Sequence, residues 1–311
     1  MGTTYSVTIV DPLSSLSRET TLAATDQILD RINLSMSTYR PDSELSKFNQ
    51  NQTTQWVPIS ADLYEVMKEA LRVSRLSGGA FDISVAPLVD LWGFGPSSRE
   101  DTIPSDADVQ ARLKLTGYTH LYLQENPRAM RKDLPSLSVD LSAIAKGYAV
   151  DQVVSYLDSL NLSDYLVEIG GELRAKGNNA QGHPWNVAIE QPNSKVRTVH
   201  RVVHLENQAV ATSGDYRNFF ERGGVKFSHT INPNTGRPIT HNLTSVTVIA
   251  ESCMKADALA TAFLVLGPEA GYALARREQV ASLFISTNDD GYLERATPAI
   301  QAHLGTGKET A

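Results

Sequence analysis

Leu243-Thr244-Ser245-Val246-Thr247-Val248-Ile249-Ala250 is a β-rich run, and after a short polar break Ala256 to Leu266 carries the apolar spacing of a helix. Ser282 to Ser286 reads as one more strand. Upstream lie three further β-rich runs, Asp164 to Ala175, Trp185 to Glu190 and Val199 to Leu205, separated by Gly, Pro and Asn turns. Ahead of them Val139-Asp140-Leu141-Ser142 leads into a helix whose Val150, Val153, Val154 and Leu157 share a face, with Asp140 positioned as its N-cap. Ser60 to Leu76 repeats Leu63, Val66, Met67, Ala70, Leu71 and Val73 at helical spacing and stops at Ser77-Gly78-Gly79. Glu19 to Leu34 sets Leu22, Ile28, Leu29 and Ile32 on one helical face, and Thr4 to Val10 alternates as an opening strand. Pro96 to Pro104, polar and rich in charge, reads as an exposed loop. Strands and helices mix without a strict βα repeat. This predicts an α+β fold of mixed or antiparallel sheets with flanking helices, not a doubly wound one.

The 311 residues allow one large domain or two average ones. A hydrophobic content of 41% with 20% charged residues is ordinary for a soluble globular protein and argues against disorder and against a membrane-embedded fold, and no apolar run approaches a membrane span. A net charge of −7 without clustered Lys and Arg argues against a nucleic-acid partner, so a bound phosphate needs a metal or backbone amides. The single cysteine, Cys253, rules out an intrachain disulfide and a thiolate metal cluster. Met1-Gly2-Thr3-Thr4-Tyr5 opens directly into the first strand, which reads as the structured part of something longer, with an upstream segment missing.

Five segments carry candidate chemistry. Asp257 and Thr261 stand four residues apart and share a helix face. A carboxylate and a hydroxyl set this way suit a hard cation such as Mg²⁺, which completes its shell from phosphates and water; the plainer alternative is an acid favoured by the dipole at a helix start. Asp140 to Gly147 offers backbone amides at a helix start together with Lys146, which suits an anionic ligand, or else an N-cap beside a solvated lysine. Glu168-Ile169-Gly170-Gly171-Glu172 is a strand end where backbone approaches a ligand, or a bulge. Ser228 to Pro238 ends a strand in a Pro/Asn/Gly turn that presents His229, a base or phosphate partner in one reading and a structural side chain in the other. Gly79 to Ser84, with Phe81 and Asp82 apparently exposed, suits a flat ring unless the phenylalanine is simply buried.

The order of the segments is more specific than any one of them. Met-Gly-Thr-Thr-Tyr at 1 to 5, Met-Ser-Thr-Tyr-Arg-Pro-Asp-Ser-Glu at 36 to 44, Gly-Ala-Phe-Asp-Ile-Ser at 79 to 84 and Pro-Leu-Val-Asp-Leu-Trp-Gly-Phe-Gly at 87 to 95 come first. Asp-Leu-Ser-Ala-Ile-Ala-Lys-Gly-Tyr-Ala at 140 to 149, Glu-Ile-Gly-Gly-Glu at 168 to 172, Ser-Gly-Asp-Tyr at 213 to 216, Ser-His-Thr-Ile-Asn-Pro-Asn-Thr-Gly at 228 to 236 and the helix at 254 to 267 follow. Together, and over nearly the whole chain, they resemble the ApbE family of flavin transferases (FAD:protein FMN transferases).

The resemblance implies a T-fold-like α+β scaffold over residues 1–311, a single domain or two intertwined lobes with the FAD cleft between them. It implies metal ligands at Asp257 and Thr261 and at a backbone oxygen of Ala143, for Mg²⁺ or Mn²⁺. Ala260 stands where some relatives carry a second Asp, one carboxylate fewer. FAD contacts map to Met1, Tyr39, Ala80, Phe81, Asp82, Asp140, Lys146 and Ile231, with Lys146 replacing an acid found in some relatives. His229 matches the family's histidine implicated in transfer. The implied reaction moves FMN from FAD to a threonine or serine hydroxyl of an acceptor protein and releases AMP. The implied acceptors resemble subunits of sodium-pumping quinone reductases and related electron-transfer complexes. The implied location is the periplasmic side of the cytoplasmic membrane, with a lipid anchor in the missing upstream segment. Two rival readings use the same residues: an FAD pyrophosphatase yielding FMN and AMP, and a flavin-binding protein that breaks no bond. Mere binding of an isoalloxazine calls for neither a metal nor a histidine at the phosphates, which speaks against the second.

Overall fold

A computed structural model of the chain describes residues 2–10, 17–95, 103–192, 198–216, 218–289 and 291–304. It divides into two compact units, each assembled from separated stretches of sequence. The first takes Met1–Asp30, Lys146–Arg217 and Asn242–Ala311, and the second Arg31–Ala145 and Asn218–His241.

The first unit is built on an antiparallel sheet ordered Tyr5–Ile9, Tyr165–Ile169, Glu172–Lys176, Ala209–Gly214, Leu243–Ala250, Ala281–Asn288, Gly291–Ala296. Leu243–Ala250 lies inside it, paired with Ala209–Gly214 on one side and Ala281–Asn288 on the other. Both of its faces are covered, so it is β-branched and nearly continuously buried where an exposed-face strand would alternate. On one face Ile249, Val210, Leu283 and Ile285 pack with Trp185, Val187, Val203 and Leu205 of the ribbon Trp185–Glu190/Val199–Leu205. On the other, Phe284 meets Phe263 of the helix Cys253–Arg277 with ring centroids 6.0 Å apart.

That helix is longer than the sequence pattern indicates. It is interrupted at Gly267, whose φ of 84° ahead of Pro268 breaks the backbone before the helix resumes. Contrary to the sequence reading that no apolar run approaches a membrane span, it is, among the described residues, the one helix long and apolar enough to cross a membrane, but 61% of that apolar stretch is buried inside the protein, as befits a core helix. Its N-terminal amides are all used: Ser252 accepts from Lys255 N at 3.2 Å, and the Asp151 carboxylate accepts from Cys253 N at 3.0 Å and Met254 N at 2.9 Å.

In the second unit the helix Ala61–Leu76 starts at the N-cap Ser60 and buries Leu63, Val66, Met67, Ala70 and Leu71. It stops at Gly78, φ 61°, where Gly79 N reaches back to Ser74 O at 2.9 Å, as the Ser-Gly-Gly signal predicts. A three-stranded sheet, Val57–Pro58, Ala129–Lys132 and Leu121–Gln124, carries a fully buried lysine at its end. Lys132 Nζ donates to Leu137 O at 2.7 Å and Asn49 O at 3.4 Å and lies 5.1 Å from the Phe48 ring. Burial with only carbonyl partners pushes its ammonium down to about 8.

The α+β expectation holds, and the strands and helices read from the sequence are present, except that the Asp164 to Ala175 run is two antiparallel strands joined at Gly170-Gly171. The N-cap assigned to Asp140 does not hold. The helix begins at Ala145, and residues 142–144 form a turn closed by Ile144 N and Ala145 N on Leu141 O at 3.1 and 2.8 Å. Asp140 Oδ1 accepts from Ser142 N at 2.7 Å instead, so the amides expected to await an anion there are largely taken. The loop read at Pro96 to Pro104 lies, except for Ile103 and Pro104, outside the described residues.

Candidate active site

Within the first unit, Asp257 sits one turn into Cys253–Arg277 and is 3% exposed. Its Oδ2 accepts from Gly147 N at 3.0 Å. That approach requires glycine at 147, because a Cβ there would stand 2.4 Å from the Cys253 carbonyl oxygen. Asp257 Oδ1 lies 3.7 Å from Lys146 Nζ, and the same ammonium lies 2.9 Å from Glu172 Oε1. Glu172 is placed by the two-residue turn Gly170-Gly171, φ 63° and 102°, which pairs it with Ile169 and so sets it on that residue's buried face. Glu168–Glu172 is therefore a hairpin turn, not a bulge. Lys146 also packs on it, since a Cβ at Gly170 would lie 3.3 Å from Lys146 Cδ.

Burial alone would lower the Lys146 ammonium, but the charges of Asp257 and Glu172 overcome it and hold the proton more tightly than usual. It is no solvated lysine. Burial, and then the Asp257 charge, raise the Glu172 carboxyl despite the ion pair. Glu172 Oε2 is buried and accepts no hydrogen bond from any described residue. One turn beyond Asp257, Thr261 Oγ1 shares a hydrogen bond of 2.9 Å with Ser213 Oγ on Ala209–Gly214. No group of three or more His, Cys, Asp or Glu able to hold a metal occurs among the described residues. Two buried acids beside a single ammonium, with the Thr261 hydroxyl one turn away, nevertheless offer hard oxygen donors. This set fits a hard divalent cation that takes few protein ligands. Cys253, buried beside the cluster, has its thiol pushed up by burial and by the surrounding acids, so it supplies no thiolate.

Within the second unit, Gly79 to Ser84 does not expose its aromatic and acid. Phe81 and Asp82 are 2% and 9% exposed. Asp82 Oδ1 accepts from Ser84 N at 2.8 Å and Ser84 Oγ at 2.6 Å, while Oδ2 accepts from Tyr118 N at 2.9 Å. Burial raises its carboxyl in spite of these bonds. The next residue, Ile83, accepts Asp140 N at 2.7 Å, so Ala80, Phe81, Asp82 and Asp140 form one seam. Asn49 clamps the residue before Asp140, with its side chain donating to Val139 O and accepting from Val139 N, both at 2.8 Å. Tyr39 differs in kind: its ring is 69% exposed on a turn whose Ser37 carbonyl accepts from Ser43 Oγ and Ser46 Oγ. Ala143 lies half-buried in the turn before Ala145, and Met1 lies outside the described residues.

His229 follows the strand Val225–Ser228. Its Nδ1 pairs with Asn218 O at 2.9 Å, which makes Nδ1 the protonated nitrogen of the neutral ring and Nε2 the acceptor. Phe94 stands edge-on to the imidazole at 6.2 Å. The turn after it is tied down by Trp92 Nε1 donating to Gly236 O at 2.8 Å, and Gly236, φ 69°, leaves no room for a Cβ, which would meet Val109 Cγ1 at 2.7 Å. Ile231 spends its side chain in the same core with Leu88, Trp92, Val109 and Phe220. Any ligand contact it makes is through its backbone.

Sequence reasoning quoted Glu172, Ser213 and Gly147 within its motifs but gave none of them a role of its own. Glu172 had a usable signal, since a Gly-Gly hairpin turn fixes the register and puts the following acid on the apolar face of its partner strand.

The model of the ApbE family matches residues 1–284. A Vibrio cholerae protein named FAD:protein FMN transferase is 46% identical over 304 residues, spanning 98% of this chain and 90% of its own. Its Haemophilus influenzae namesake is 43% identical over 306 residues, 97% of this chain and 88% of its own. The solved structure of the flavin transferase ApbE from Vibrio cholerae superposes with a TM-score of 0.91 at 44% identity, covering 98% of this chain and 96% of that one. With the family model and full-length relatives agreeing along almost the entire sequence, the chain belongs to the ApbE family.

Proposed function

We propose that this protein transfers FMN from FAD to a serine or threonine hydroxyl of an acceptor protein and releases AMP. The observation that carries the reading is the cluster of buried Asp257 and Glu172 with half-buried Lys146, beside the Thr261 hydroxyl, on a chain whose relatives are named FAD:protein FMN transferase. The acceptor oxygen attacks the FMN phosphorus, the bond from that phosphorus to the bridging oxygen breaks, AMP leaves with that oxygen, and the hydroxyl proton is taken up by a base. By the same resemblance Asp257, Thr261 and the Ala143 carbonyl would hold Mg²⁺, which would supply charge neutralisation at the pyrophosphate. His229 receives the proton at Nε2, because Nδ1 is engaged with Asn218 O. Tyr39, Ala80 to Asp82, Asp140, Lys146, Ile231 and Met1 are the proposed FAD contacts, with the buried members acting through backbone atoms and Tyr39 through its exposed ring. By the same resemblance we assign the protein to the periplasmic face of the cytoplasmic membrane and its acceptors to electron-transfer complexes.

Incubation with FAD and Mg²⁺, with and without a candidate acceptor domain, tests this by AMP release and by flavin fluorescence on a denaturing gel. AMP and a fluorescent acceptor band, both only when acceptor is present, are expected. AMP and free FMN without acceptor would make the protein an FAD pyrophosphatase, and intact FAD in both tubes a flavin-binding protein.

A further inference from the structure

Lys146 lies between two buried carboxylates, one of which is a proposed metal ligand and the other of which has no assigned role. Its Nζ is 2.9 Å from Glu172 Oε1 and 3.7 Å from Asp257 Oδ1. The two remaining carboxylate oxygens differ sharply. Asp257 Oδ2 is held by Gly147 N at 3.0 Å, whereas Glu172 Oε2, on a residue 4% exposed, has no donor among the described residues. A buried carboxylate oxygen left unbonded carries an uncompensated desolvation penalty. Such a vacancy beside a cation that has two carboxylates to choose from is a place for that cation to go.

We propose that Lys146 is a built-in counter-ion that competes with the divalent cation for Asp257, and that Glu172 is its landing site. The inference rests on the reading of Asp257 as a metal ligand. Without a cation, the ammonium bridges both acids and compensates their repulsion. A divalent ion sits about 2 Å from its oxygen ligands, so it cannot share Asp257 Oδ1 with an ammonium without strong repulsion. The ammonium then moves wholly onto Glu172, where Oε2 offers the second acceptor. Lys146 and Glu172 are thus positioning residues that set how tightly the cation binds: the lysine weakens binding by occupying Asp257, and the glutamate restores it by taking the lysine away.

Mn²⁺ binding to the whole chain without FAD, followed by electron paramagnetic resonance, separates this role from flavin contact or simple scaffolding. Lys146→Met is expected to bind Mn²⁺ at least about tenfold more tightly than wild type, Glu172→Gln at least about tenfold more weakly, and the double variant to lie near Lys146→Met. Lys146→Gln, which keeps a donor for Glu172, serves if Lys146→Met does not fold by circular dichroism. Unchanged or weaker Mn²⁺ affinity on removing the lysine would overturn the proposal, as would a full Glu172→Gln penalty in the Lys146→Met background, which would make Glu172 a direct ligand. Asp257→Asn is the control for the underlying reading. Should it bind Mn²⁺ as well as wild type, or wild type bind none, the metal assignment itself fails; loss of binding in Asp257→Asn with no effect at Lys146 defeats the counter-ion alone.

Discussion

The Asp257 cluster and the His229 turn are built on opposite principles. Around Asp257 the candidate groups are ionisable side chains, Asp257 and Glu172 buried and Lys146 half-buried, held by one another and by the amide of Gly147. Around His229 the working group is an imidazole on a tight turn, fixed through backbone carbonyls and an aromatic core of Trp92, Phe94, Phe220 and Phe227. The first is sensitive to charge and the second to shape. On the proposed reading, a substitution is aimed at cation binding in one region and at proton transfer in the other.

The largest expected effect breaks the comparison on the chemical side. His229→Ala should lower FMN transfer by about 10²–10⁴-fold while leaving FAD affinity, read by fluorescence titration, unchanged. Equal loss of FAD binding would show that the imidazole holds the substrate instead of moving the proton.

Lys132 sharpens the comparison on the electrostatic side, because it is a buried lysine without a carboxylate. Its folded value of about 8 lies below the 10.5 of an unfolded lysine. Between those values the unfolded chain binds more protons, so stability rises with pH across that window and the contribution is absent below it. Chemical denaturation of wild type against Lys132→Met should show wild type gaining about 3 kcal/mol relative to the variant from pH 8 to 10.5. A flat difference would mean that the ammonium is not desolvated.

Glycine positions give the next effects. Gly147→Ala forces a Cβ against the Cys253 carbonyl and should destabilise the protein by about 1–3 kcal/mol in urea titrations, with Mn²⁺ affinity falling as Asp257 shifts. Wild-type affinity would indicate that the two helices part without moving the carboxylate. The smallest effect belongs to Trp92→Phe, which keeps an aromatic ring but loses the pyrrole half of the indole and with it the bond to Gly236 O. A loss of about 1 kcal/mol and a several-fold drop in transfer at constant FAD affinity are expected.

Most of the fold was legible because its elements obey one period each. Leu243–Ala250 and Ala61–Leu76 announce themselves by β-branched burial and by helical spacing with a Ser cap and a Gly-Gly stop. Asp140 misled for a local reason: Asp before a helix is a capping signal, but an Asx turn on Ser142 uses the same side chain and delays the helix to Ala145. Asp82 misled because its burial depends on a partner distant in sequence, Tyr118, whose amide donates to Oδ2. Of the site, Asp257 and Thr261 were visible as an i, i+4 pair, since both are on one helix. The Lys146–Glu172 partnership was not, because it joins a helix start to a hairpin strand and no periodicity within either segment reports it.

Intact-mass analysis of an acceptor domain after incubation with FAD, Mg²⁺ and the wild-type enzyme tests the central claim most directly. The account predicts that the acceptor gains the mass of FMN less one water on a serine or threonine, with one AMP released per flavin attached, and no gain with His229→Ala. Stoichiometric AMP and free FMN beside an unmodified acceptor would contradict it.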